Sequence, residues 1–144
     1  MATLPWTTTA VTPDPDTDVV VLGSRLELRS RRDVPGFLGA ALKLRRQVRA
    51  MPGAVGVSLI AQPTRKTFWT LSAWVDQPSL DAFVATPPHV AVMQRYHERM
   101  VDSAFTMWTV KTRDLPERRS NAKELWTEAK RRLASATRES RHVV

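Results

Sequence analysis

The sequence contains no cysteine, which excludes disulfides, thiolate metal ligands and cysteine nucleophiles together. It holds one tyrosine and three histidines, so side chains able to work as acids or bases near neutral pH are few. No P-loop, dinucleotide fingerprint, G-x-S-x-G or H-E-x-x-H run occurs, which removes the common sequence signatures of nucleotide, serine-hydrolase and zinc chemistry. Long hydrophobic runs are missing too, and none approaches the ~20 residues that a membrane helix requires. Met1 to Asp18 shows no basic stretch followed by an apolar core, so no secretory signal is expected and a cytoplasmic location is.

What is present suits one globular domain. The chain has 144 residues, 42% hydrophobic and 25% charged, enough to bury a core. The net charge of +8 comes from 22 basic against 14 acidic residues, with arginine in the majority, a bias expected of a GC-rich bacterial genome. Basic residues gather at Arg29 to Arg32, Lys43 to Arg49 and Arg113 to Arg141. Phosphate contact is one use of such clusters. These fall at a strand end and on polar helix faces without interleaved aromatics for base stacking, so nucleic acid is not the expected partner.

Residues 1–18, with Pro5, Pro13 and Pro15, predict a flexible arm in which Trp6 is the one anchor, docking on a neighbouring subunit. Alternation over Val19 to Ser30 predicts a strand. Asp33 reads as a helix N-cap with Pro35 in the first turn, and Phe37, Ala41, Leu44, Val48 and Met51 recur at helical spacing until Pro52-Gly53 ends the run. Two strands follow around a Pro63 to Lys66 hairpin, then a short helix capped by Asp76. Pro87-Pro88 interrupts it, a second helical piece runs from His89 to Met100, and a last strand covers Ala104 to Lys111. After Leu115-Pro116 an amphipathic helix carries Ala122, Leu125, Trp126, Ala129 and Leu133 on one side. The organisation expected is an arm (1–18), a folded unit (19–112) and a C-terminal helix with a basic tail (113–144).

That order is α+β, ferredoxin-like βαββαβ, with a four-stranded antiparallel sheet and an extra C-terminal helix. In the third strand Trp69, Leu71, Ala73 and Val75 form an apolar row suited to packing under helices, while Phe68, Thr70, Ser72 and Trp74 form a mixed row. A mixed row with large aromatics predicts a second sheet against it, hence a homodimeric α/β barrel enclosing a pocket.

The run Phe68 to Asp76, then Ser79-Leu80-Asp81-Ala82-Phe83, then His89, resembles the antibiotic-biosynthesis-monooxygenase-like superfamily of dimeric α/β barrels. Met107-Trp108-Thr109-Val110 with Leu115-Pro116 is similar to an uncharacterised branch of it. The resemblance implies an oxidoreductase acting on an aromatic or polyketide-like small molecule without metal or flavin. The superfamily also contains haem-degrading and non-catalytic members, so a haem- or small-ligand-binding homodimer is the alternative.

His89, at a helix start beside Met93 and Tyr96, is the candidate general base; the same ring could ligate haem iron or merely cap the helix. Phe68 and Trp74 are candidate cavity walls, with Ser72, Met93 and Tyr96 as further substrate contacts, although dimer packing would also explain the aromatics. Arg25, with Glu27, is placed on the cavity side of the first strand as an electrostatic stabiliser of a substrate anion, with Ser58 nearby. Trp69 and Trp108 read as core, Trp126 as the fastener of the last helix, and Lys130-Arg131-Arg132 as its solvated side.

Overall fold

A computed structural model describes residues 2–87 and 89–143, and the side chains of residues 3–135 apart from 88. Pro88 and the side chains of the basic tail beyond residue 135 lie outside that description. The order is β1 (Ala2–Thr8), β2 (Asp18–Leu28), α1 (Val34–Ala50), β3 (Ala54–Gln62), β4 (Thr67–Trp74), α2 (Gln77–Ala85), α3 (His89–Tyr96), β5 (Met100–Lys111) and α4 (Lys123–Val143). The expected βαββαβ order is present with its extra C-terminal helix. The sheet has five strands instead of four, in the order β1-β3-β4-β2-β5, and every pair is antiparallel.

The fifth strand is the segment expected to be a loose arm. Ala2–Thr8 pairs with β3 along the sheet edge. Trp6 is only 1% exposed and fills the chain's own core, not a neighbour's. Its indole lies so close to Gly56 that a Cβ there would meet ring atoms at 2.3 Å. The Trp6 backbone is also clamped from both directions, donating to the Ser120 carbonyl at 2.8 Å and accepting from the Arg119 amide at 2.7 Å. The prolines signalled an irregular chain, but the long-range fit of one indole onto one glycine overrides that local signal.

Local capping chemistry matches the sequence at α2, where the Asp76 carboxylate accepts from the Ser79 amide at 2.9 Å. Asp33 does precede α1, yet its side chain makes no cap bond; it pairs instead with Arg99 at 2.8 Å. The helix expected to reach Met100 ends at Tyr96, and β5 starts at Met100, four residues earlier than the alternation suggested. Met100 pairs with Leu28 and is buried, so tertiary packing decides that boundary.

Strand alternation divides the sheet into two faces. Register places Leu22, Ser24 and Leu26 of β2 beside Ser72, Thr70 and Phe68 of β4. This is the mixed row, and it lies under α1, α2 and α3, where Phe37 and Phe83 pack on it. The apolar row expected there (Trp69, Leu71 and Ala73) lies on the opposite face, against Trp126, Leu125 and Ala129 of α4. The assignment of faces is thus the reverse of the expected one. The reason is α4, a helix of the same chain that supplies the apolar cover the smooth row needs. Ser58 also faces α4, accepting from the Trp126 indole at 3.2 Å and donating to the Leu4 carbonyl at 2.8 Å. Trp126 thereby fastens the last helix, as expected. Lys130 and Arg132 are not purely solvated: they lie over the rings of Trp69 and Trp108 at 5.4 and 5.1 Å.

Trp6→Ala is expected to cost about 3–5 kcal/mol of unfolding free energy, and Gly56→Ala about 1–3 kcal/mol through overpacking against the indole. Urea denaturation followed by tryptophan fluorescence measures both; midpoints equal to the parent's would show that β1 is dispensable to the core.

Candidate functional site

The mixed row of β4 reads large, small, small, large: Phe68, Thr70, Ser72, Trp74. The two large ends hold the helices away from the sheet. Phe37 of α1 meets Phe68 edge-on at 4.8 Å, and Phe83 of α2 stacks on Trp74 at 5.1 Å. Over the small middle a cavity of about 80 Å³ remains, walled by Leu26, Phe37, Ala41, Phe68, Phe83 and Met93. Its floor carries three hydroxyls. Ser24 and Thr70, opposite each other in register, are hydrogen-bonded together. Ser72 accepts from the Trp74 indole N–H at 2.9 Å, so its own hydroxyl hydrogen is left to donate.

His89 opens α3 and lines this cavity, and it also lines a wider open groove of about 680 Å³ between α2, α3 and β5. Leu22, Met93 and Phe105 are shared by the two spaces, which places His89 where the enclosed part meets the open one. Its ring packs on Phe83 at 4.9 Å, and Nδ1 lies 3.1 Å from the Val84 carbonyl. A carbonyl can only accept, so Nδ1 carries the proton and Nε2 keeps its lone pair. Burial pushes the imidazole below its ordinary 6.5, against a smaller upward pull from the Val84 carbonyl. The ring is therefore held neutral, in the tautomer a base requires.

The other expected site residues divide cleanly. Phe68, Ser72 and Met93 line the cavity with His89. Trp74 and Tyr96 do not; they stand one layer behind. Trp74 holds Ser72 and Phe83, and Tyr96 packs edge-on against Phe37 at 5.0 Å. Arg25 is on the opposite face of the sheet, ion-paired with Asp102 and 5.9 Å from the Trp69 ring centre. It belongs to the α4 side, and its carboxylate partner comes from β5, not from Glu27 as strand proximity suggested.

The cation that does line the cavity is Arg45 of α1, a residue not among those expected at the site. One Nη donates to Thr7 at 2.7 Å. Its Nε is buried with no acceptor, and burial, followed by repulsion from Arg49, lowers its pKa from the ordinary value. Helical spacing carried a usable signal, because Arg45 is four residues from Ala41 and one from Leu44, inside the apolar stripe.

Among the described residues no group of three or more His, Asp or Glu is placed to hold a metal ion, and no helix is long and apolar enough to cross a membrane. Haem does not fit the residues present. The enclosed cavity falls far below the roughly 300 Å³ of a pocket for even drug-sized ligands, so a macrocycle would have to lie in the open groove. The groove lining includes Asp81 but no Lys or Arg to pair with two propionates.

Residues 34–95, which run from α1 through α3 and include both Arg45 and His89, match the family model described as antibiotic biosynthesis monooxygenase. No curated protein sequence matches the chain. Among solved structures the fold is similar to SnoaB, a cofactor-independent oxygenase from Streptomyces nogalater, at 15% identity and a TM-score of 0.55, over 69% of this chain and 98% of that one. A candidate monooxygenase from Lactobacillus acidophilus aligns at 16% identity and a TM-score of 0.59 over 74% of this chain, which spans 49% of that protein's length. A conserved protein from Methanosarcina mazei aligns at 11% identity and a TM-score of 0.58, over 65% and 94% of the two chains. At these identities the likeness concerns the fold.

Because the folded chain holds His89 neutral, the unfolded chain takes up its proton first as pH falls. The stability tied to this ring is complete above about pH 6.5 and drains as pH falls through the lowered folded value. The His89 ring resonances in an NMR titration should therefore move with a midpoint below 6.5; a midpoint at or above it would contradict the buried, neutral ring.

Proposed function

From an antibiotic-biosynthesis-monooxygenase-like domain with this cavity, we propose that the chain is a small cytoplasmic oxidoreductase that oxygenates an aromatic or polyketide-like molecule with dioxygen and no bound cofactor. The observation that carries the reading is His89. A neutral imidazole, fixed as the Nδ1–H tautomer by the Val84 carbonyl, offers Nε2 where a narrow cavity opens into a groove.

His89 Nε2 removes a proton from an acidic C–H of the substrate, leaving a carbanion whose charge spreads onto a neighbouring oxygen. Ser72 and whichever of Ser24 and Thr70 does not donate to the other are the hydroxyl donors available to that oxygen. The anion passes one electron to dioxygen, and the resulting radical pair combines into a peroxide anion on the same carbon. The imidazolium returns its proton to the distal oxygen. Loss of the carbon's second hydrogen as a proton, with departure of hydroxide from the O–O bond, leaves a carbonyl and one water. A CH2 group and O2 thus become C=O and H2O, with the substrate as the sole reductant.

The size of the space decides how a ligand lies. Apolar cavities of about 150 Å³ hold benzene, and the enclosed part here is about 80 Å³. It takes a head group, while the ring system occupies the groove along Val84, Phe105 and Met107. Those apolar side chains are otherwise exposed.

A homodimer is proposed at the same edge and not face to face, because α4 and α1 to α3 of the chain already cover both faces of the sheet, where a second sheet was expected. Val101, Phe105 and Met107 line an uncovered side of β5, and β5 is the edge strand opposite β1. Antiparallel β5–β5 pairing about a two-fold axis is self-complementary and would roof the groove.

Oxygen uptake with a panel of CH-acidic phenols and 1,3-dicarbonyls should be matched by equal carbonyl formation, and His89→Ala should slow it about 100- to 10,000-fold while the melting curve and mass are kept. Unchanged kinetics in that variant would remove the base assignment. Binding without any uptake across the panel would favour a non-catalytic ligand-binding homodimer. Light scattering separately checks assembly: a dimer for the parent and a monomer for Phe105→Asp are expected, and a monomeric parent would refute the β5 interface.

A further inference from the structure

Cations are plentiful in this chain, and most are disposed as solvent or ion-pair residues. Arg99, Lys111, Arg113, Arg131 and Arg132 all reach carboxylates. Arg46 and Arg49 border a shallow polar depression beside Thr8 and Thr9 at the surface. Arg45 differs from each of these. It stands in the lining of an otherwise apolar cavity, and no carboxylate among the described residues pairs with it.

Arg45 is half-buried, and the part of its guanidinium that is taken from water is held at a cost. Desolvating a charge without a counter-charge is unfavourable, and a buried donor without an acceptor calls for a specific explanation. Thr7 accounts for one Nη hydrogen and fixes the side chain between β1 and α1. It is a neutral partner, so no protein counter-charge among the described residues meets the guanidinium, and the buried Nε stays without an acceptor. Gln47 on the same helix also has an orphaned amide, but it is absent from the cavity lining and carries no charge to be matched. The missing complement to Arg45 is therefore an anion, and the cavity is where one can reach it.

We propose that Arg45 is the specificity-determining residue of this cavity, binding a single carboxylate on the head group of an aromatic acid. The class follows from size and charge together. The space of about 80 Å³ admits a carboxylate and a carbon or two, not a ring. One guanidinium compensates one negative charge and offers paired N–H donors to a planar oxyacid. A doubly charged phosphate would leave its second charge against Phe37, Phe68 and Leu26. The aromatic body lies in the groove, and the carbon joining the two parts passes His89. The placement of that carbon rests on the reading of His89 given above; the carboxylate site itself does not.

The test compares phenylacetate with its neutral isostere phenylacetamide, by calorimetric titration of the full-length protein. Phenylacetate should bind at least about tenfold tighter, the margin of one hydrogen-bonded charge pair. Arg45→Gln should erase that preference, Arg45→Lys should restore part of it, and His89→Ala should keep it. Thr7→Val, which removes only the tether, should weaken it while leaving a preference for the acid. A melting temperature within a few degrees of the parent qualifies each variant. Equal binding of acid and amide, absence of phenylacetate binding at millimolar concentration, or a preference surviving in Arg45→Gln would overturn the assignment. Preference for the acid without oxygen uptake by any substrate would sink the oxygenase reading alone. Uptake that depends on His89 without such a preference would sink the Arg45 site alone.

Discussion

Everything in this molecule depends on how the two faces of one five-stranded sheet are covered. A central strand buried on both sides must find apolar cover twice, and β3 is buried along nearly its whole length. One face is closed by α4 of the same chain. Small residues allow that approach: Ala129 is fully buried, and Gly23 lies where an added Cβ would touch Thr106, Ala129 and Leu71 at 3.3 to 3.6 Å. The other face meets α1, α2 and α3, but there the small residues are polar and the large ones sit at the ends of the row. Close packing results on the first face and a cavity on the second.

The cavity inherits its chemistry from that arrangement. Strand register sets Ser24 beside Thr70, and these hydroxyls satisfy one another in an otherwise greasy space. The break between α2 and α3 delivers His89 to the cavity rim, where the Val84 carbonyl at the end of α2 chooses its tautomer. Edge strand β1 contributes from the far side through Thr7, which steadies Arg45. A segment that reads as an accessory arm therefore helps build the site. The indole of Trp6 on Gly56 is what keeps that strand in place.

Several features were legible from residue order. The antiparallel α+β topology, the Asp76 cap, the core role of Trp108, and the fastening by Trp126 follow from local periodicity and turn chemistry, while Trp69 lies half-buried at the core's edge. His89, Phe68, Ser72 and Met93 were recognisable as one group, and the fold brings them to one cavity. Trp74 and Tyr96 were near misses, adjacent to the cavity and supporting its walls. Arg25 was misplaced because alternation states which residues share a face but not which face is which. With the mixed row assigned outward, Arg25 is carried to the wrong side with it.

The sequence alone determined the elements: hydrophobic period two or near 3.6 is a property of neighbouring residues, and caps and prolines punctuate it locally. It also determined that a histidine, His89, would stand at a helix start. Tertiary structure alone decided which face each helix covers, that Ala2–Thr8 completes the sheet, and that Arg45 rather than Arg25 meets the cavity. Those outcomes turn on contacts between residues far apart in the chain, such as Trp6 with Gly56 or Arg45 with Thr7. Their energies depend on shape and desolvation that no local pattern encodes.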